Sequence, residues 1–151
     1  MLTILKDYLE RLESLHADIG QTVEGLSPVA LDWGPGPDMN SLAVLAAHIA
    51  GSERYWIGDI AGNDPSGRVR EAEFQTGGLD EATLTTRLET ALAHSQATLE
   101  KLTLAELEVK RTDPRDGNEY TVAWALFHAL EHTALHLGQM QLTRQLWEQQ
   151  Q

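Results

Sequence analysis

The chain has 151 residues, 42% of them hydrophobic and 23% charged, the composition of a globular protein able to bury a core without disulfides or a partner. Lys and Arg number 11 against 23 Asp and Glu, a net charge of −12; that sign repels nucleic-acid phosphates and anionic membranes, so neither is an expected partner. The absence of cysteine excludes disulfides, thiolate metal ligands and a cysteine nucleophile.

The length predicts one domain over 1–151. The N-terminal stretch MLTILKDYLERLESLH lacks the continuous apolar core of a signal peptide. No run of about 18 apolar residues occurs anywhere, and a cytoplasmic protein is the expectation.

Leu5, Tyr8, Leu9, Leu12, Leu15, Ile19 and Val23 recur at spacings of three and four and predict a first amphipathic helix. Lys6, Asp7, Glu10, Arg11 and Glu13 fill its opposite face. The breaker-rich linker SPVALDWGPGPDMN follows, and Asn40 or Ser41 can cap a second helix carrying Leu42, Leu45, Ile49, Trp56 and Ile60. Gly51 inside that helix costs about 1 kcal/mol relative to Ala and suggests a close helix approach. The polar, punctuated segment Gly62–Gly78 reads as a long connection.

A third helix is predicted from Asp80 to Leu102, with Leu84, Leu88, Leu92, Ser95 and Leu99 in register. TDPRDGNEY reads as a turn-rich loop. Thr121 can cap a last helix bearing Val122, Leu126, Leu130, Leu137, Met140 and Leu146. No segment sustains a period of two, so no substantial sheet is expected. Four long amphipathic helices predict an all-α protein, a four-helix bundle.

His128, His132 and His136 lie at i, i+4 and i+8 on the last helix, and His48 is the only histidine of the second. An i, i+4 pair puts two imidazoles on one face, within reach of one ion. His128 and His136 are about 12 Å apart along the axis at 1.5 Å per residue, too far for both to ligate one metal through bonds of about 2.0–2.1 Å. Spacing therefore allows His128/His132 or His132/His136, with a further ligand supplied by another helix.

Two stretches, DWGPGPDMNSLAVLAAHIAGSERYW and TVAWALFHALEHTALHLGQMQ, resemble the DinB/YfiT-like superfamily of metal-binding four-helix bundles. The resemblance is carried by Trp33, Asn40, Ser41, His48, Ile49, Glu53 and Trp56, then by His132, His136, Gly138 and Gln139. It implies an up-down-down-up topology with a long crossover between helices two and three, and a metal triad at His48, His132 and His136. His128, Gln139 and Glu53 become candidates for groups behind the ligands.

Three neutral imidazoles leave an ion with open positions, as in catalytic sites, and favour zinc or nickel over magnesium or calcium. The resemblance further implies a small-molecule substrate, thiol-linked S-transfer or isomerisation or else hydrolysis, a low-molecular-weight thiol as cosubstrate, and a homodimer. The alternative is a non-catalytic dimeric binding module with a structural or vestigial metal site. No catalytic acid or base is assigned.

Other residues carry weaker signals. Glu53 follows His48 by five positions and reaches the cavity only at its edge, or else pairs at the surface. Trp33 and Trp56 can wall a pocket or sit in the core. Glu131 points away from His132, and His16 and His94 are expected to be solvated on polar faces. The charge argument is testable: no sub-micromolar binding to random duplex DNA is expected in about 0.15 M salt by gel shift or anisotropy, and such binding would contradict it.

Overall fold

The apolar row predicted at the N-terminus is buried along one side of α1 (Thr3–Val23). The structure, a computed structural model, describes residues 1–151. In the proline-rich linker the chain forms one short helix, α2 (Pro28–Asp32), whose Ser27 Oγ accepts the Ala30 N–H. Ser41, rather than Asn40, caps α3 (Leu42–Glu53), its Oγ accepting the Val44 N–H at 3.2 Å.

Beyond Glu53 the helix widens instead of ending. Arg54–Ala61 is π-helical, and the Gly62 N–H donates to the Ile57 carbonyl five residues back. The crossover contains a second short helix, α4 (Arg70–Glu73). Asp80 and Thr121 cap the two remaining long helices, α5 (Glu81–Leu99) and α6 (Val122–Glu148), by accepting the N–H groups of Thr83 and Trp124.

α1 packs against α5 and α6, and so does α3, which leaves α1 and α3 on one diagonal of the bundle. Side-chain contacts fix the directions. Tyr8 bonds Leu126 and Arg144 bonds Thr22, so α1 and α6 run parallel. Glu53 bonds Ser95 near the C-terminal ends of both α3 and α5, which are parallel as well. His48 meets His132 while Trp56 meets Trp124, so α3 and α6 are antiparallel. This is the up-down-down-up bundle. Parallel neighbours need a connection that returns along the whole helix, and residues 62–80 provide it.

The loop TDPRDGNEY turns out to be a hairpin. β1 (Lys110–Thr112) pairs antiparallel with β2 (Glu119–Thr121), Arg111 opposite Tyr120. Three residues per strand are too few for alternation to register in the sequence, and the turn is held by side chains instead. The fully buried Asp113 carboxylate accepts the Arg115 N–H, the Arg115 guanidinium and the Tyr55 hydroxyl. Gly117 closes the turn at φ 76°, a left-handed conformation that favours glycine.

The core divides into two apolar clusters with a polar layer between them. One holds Leu5 to Leu12 of α1 with Tyr55, Trp56, Ile57, Leu99 and Leu126. The other holds Leu15 to Val23 with Leu42, Ile49, Leu84, Leu88 and Met140. At the junction His16, Glu53 and Ser95 meet: Glu53, 1% exposed, accepts from Ser95 Oγ at 2.7 Å and lies 2.5 Å from His16 Nε2.

Two sequence expectations are corrected here. His16 is buried rather than solvated, and Glu53 is neither at a cavity edge nor on the surface but ties α1, α3 and α5 together. His94 is also engaged, by Asp64 at 2.9 Å.

Burial opposes ionisation of Asp113, but the Arg115 and Tyr55 bonds outweigh it and hold the carboxyl at about 2, below the ordinary 3.8. A carboxyl depressed on folding contributes stability that is fully present above its unfolded value and is lost as pH falls through about 2. Asp113→Asn should therefore be less stable than the parent at about pH 5, with the difference shrinking toward about pH 2, as read by urea denaturation. An equal difference at both pH values would contradict this role.

Candidate metal centre

The antiparallel crossing of α3 and α6 brings together three imidazoles distant in sequence. His132 Nε2 lies 3.0 Å from His48 Nε2 and 3.1 Å from His136 Nε2. One nitrogen from each ring falls within 4.8 Å of the others, with His48 buried and the α6 pair half-buried. Three nitrogens about a tetrahedral zinc with bonds of about 2.0–2.1 Å would stand about 3.3 Å apart, close to the two separations from His132.

The groups behind the rings decide what the nitrogens present. His48 Nδ1 sits 2.7 Å from Glu73 Oε2, and His136 Nδ1 sits 2.7 Å from Gln139 Oε1. Both partners accept, so each Nδ1 carries its proton and each Nε2 turns a bare lone pair toward the third ring. His132 Nε2 can donate to only one of them. Two lone pairs and at most one proton at a shared point are poorly satisfied as hydrogen bonds and well satisfied by a cation.

The electrostatics keep the rings available. Burial, then the neighbouring imidazoles of His136, His48 and His128, lower His132 to about 3. Burial also lowers His136, against the Gln139 bond that favours its charged form. These two rings are neutral at neutral pH, the state a metal requires.

Glu73 was not singled out in the sequence. It comes from α4 in the crossover, and Arg68 grips it through Nε at 2.5 Å and Nη2 at 2.8 Å. Nothing in the spacing distinguishes Glu73 from Glu71; only packing of the crossover onto α3 selects it. Gly51 gains its reason here: a Cβ at that position would overlap the Glu73 carboxylate, so the close approach is to a side chain rather than a helix. Phe74 lies against the outer side of His48 with ring centroids 5.0 Å apart.

The remaining candidates are placed elsewhere. His128 makes no hydrogen bond to the cluster; its ring is 6.0 Å from that of His132 and stacks on Trp124 at 4.9 Å, so it is not the group behind a ligand that was expected. Trp33 packs on Trp147 at 5.6 Å, away from the cluster, while the buried Trp56 touches His128 at 4.6 Å. Glu131 is exposed.

The profile of the mycothiol-S-transferase family matches residues 5–149. No curated protein sequence is significantly similar. Among solved structures, a DinB-like protein of Bacillus subtilis, YjoA, has a TM-score of 0.71 at 21% identity, over 92% of this chain and 90% of its own. YfiT from Bacillus subtilis, described as a probable metal-dependent hydrolase with an unusual four-helix bundle topology, has a TM-score of 0.63 at 16% identity, over 93% and 87%. A mycothiol-dependent maleylpyruvate isomerase has a TM-score of 0.66 at 14% identity; 91% of this chain aligns with 62% of that one. These identities establish a shared fold and nothing finer. With the family profile spanning nearly the whole sequence, the chain belongs to the mycothiol-S-transferase family, and it shares the fold of the DinB-like YjoA and of YfiT.

Proposed function

We propose that the protein is a metal-dependent enzyme that joins a low-molecular-weight thiol to a small electrophile, with His48, His132 and His136 holding zinc or nickel. The convergence of three imidazole nitrogens with two lone pairs aimed at one point carries this reading. The donor set, all imidazole, suits zinc or nickel and is a poor one for magnesium or calcium. Family membership supports mycothiol as the thiol. A bound ion with open positions would supply a Lewis-acid site that lowers the pKa of a thiol at neutral pH.

The protein's own groups do the positioning. Glu73 and Gln139 hold their imidazoles in the tautomer that presents Nε2, and Arg68 holds Glu73. Phe74 covers His48 and limits water on that side. Metal-assisted hydrolysis is the second reading, favoured by the same open donor set and by the likeness to YfiT; it needs no thiol. A homodimer in the cytoplasm belongs to this proposal, supported by the apolar Ile4 and Phe127 left exposed along α1 and α6.

The test is competition for zinc and nickel against a chromophoric chelator, followed by turnover of electrophiles with and without thiol. His48→Ala, His132→Ala and His136→Ala should each lower metal affinity at least tenfold, and His128→Ala should be the mildest. Loss of binding in His128→Ala with His136→Ala unaffected would move the pair to His128/His132. Failure of the folded parent to take up metal would favour the non-catalytic binding module.

A separate expectation concerns the crossover. Glu73→Ala should weaken metal binding by about 10–100-fold while the helical circular dichroism stays unchanged. Glu73→Gln keeps an acceptor for His48 Nδ1 and should fall between. Equal affinity in all three proteins would remove Glu73 from the site.

A further inference from the structure

Rings stand at every fourth position along one side of α6 and its N-terminal approach: Tyr120, Trp124, His128, His132 and His136. Successive centroids are 4.1, 4.9, 6.0 and 4.3 Å apart, and Trp124 and His128 are within 7° of parallel. Core packing does not require this row. The buried side of α6 is made by Val122, Ala125, Leu126, Ala129, Thr133 and Leu137, whereas Trp124 is 42% exposed. Trp56, on the π-helical turn, floors the row and touches Tyr120, Trp124 and His128. A column of stacked rings, edges outward, thus runs away from the proposed metal centre.

Beside Trp56 stands a cation already fixed in place. The Arg115 guanidinium lies 4.3 Å from the Tyr55 ring centroid and 5.1 Å from that of Trp56. Asp113 holds it through Nε and Nη2, while Nη1 has no protein partner and the side chain is 42% exposed. A guanidinium pinned on one edge loses little entropy when the free edge meets an anion. Arg115 is matched by Asp113 and Arg68 by Glu73, so a divalent ion on neutral imidazoles would add about +2, offset in part by the exposed Glu131 near His128, in a protein of net charge −12.

We propose that this aromatic row and Arg115 form a subsite for a planar aromatic or conjugated carboxylate, its π face on the free edges of Trp124 and His128 and its carboxylate on Arg115 Nη1. Its place as the acceptor's subsite rests on the metal-centred function proposed above; its capacity to bind does not. Edge-to-face contact with the row gives affinity but little selectivity, and the charged hydrogen bond selects carboxylate over neutral isosteres.

The test uses 2-naphthoate and the neutral 2-naphthalenemethanol, titrated into the full chain with the indole N–H signals of its four tryptophans followed by NMR. Naphthoate should shift Trp56 and Trp124 and leave Trp33 and Trp147, which pair with each other away from the row, unmoved. The alcohol should bind about tenfold more weakly, as should naphthoate to Arg115→Gln, with Arg115→Lys between them. Trp124→Ala, at an exposed position, should weaken naphthoate binding without disturbing the fold, and keeps the test open if Arg115→Gln does not fold.

Zinc uptake is read separately by chelator competition. Absence of uptake would defeat the metal reading while the indole shifts still judge the subsite, and zinc-loaded protein should bind naphthoate more tightly than metal-free protein. Equal affinity for acid and alcohol would overturn the subsite. So would binding untouched by Arg115→Gln, or indole signals of Trp56 and Trp124 left unmoved at saturating naphthoate.

Discussion

The buried contact among His16, Glu53 and Ser95 sets the register on which the rest of this bundle depends. Apolar helix faces can slide past one another by a turn at modest cost, because one leucine layer resembles the next. A buried carboxylate cannot: away from its partners it would be an unpaired charge in a low-dielectric core, a loss of several kcal/mol. Glu53 therefore locks α1, α3 and α5 at one level, between the two apolar clusters. With α3 fixed at Glu53, His48 faces α6 at the height of His132.

The topology then supplies what two helices cannot. Parallel packing of α3 and α5 obliges the chain to return along the bundle, and the returning segment lies across α3 beside His48. Arg68, Glu73 and Phe74 arrive by that route, and Gly51 leaves the gap into which the carboxylate fits. A connection of two or three residues, as in an up-down-up-down bundle, would carry none of them. The orientation of a candidate ligand is thus a consequence of helix direction.

The same division of labour explains the other end of the site. The π-helical turn after Glu53 places Tyr55 and Trp56 against the hairpin, and the hairpin returns Asp113 and Arg115 onto those rings. A widened turn costs some regularity in hydrogen bonding and gives two large aromatics a position that a uniform α-helix would direct differently. Charge is handled locally. Glu73, beside the candidate centre, is held by Arg68 and His48, and the buried Asp113 by Arg115.

The sequence by itself determined the four long helices, the cap at Thr121 and the choice of Asn40 or Ser41, the all-α class and the long connection over 62–78, because helical period, caps and breakers are local signals that survive in one dimension. It also limited the α6 ligands to neighbouring turns, and its motif resemblance singled out His48, His132 and His136, which the fold brings to one point. Only the tertiary structure decided the places of Glu53, Glu73, Arg68 and His128. A carboxylate on a helix and one in a connection look alike in sequence, and burial, which separates a core tie from a group behind a ligand, depends on neighbours that are dozens of residues away. The short hairpin and the π-helical turn escaped for a related reason: each is held by side-chain contacts across the fold, Asp113 to Tyr55 above all, and not by any period of its own.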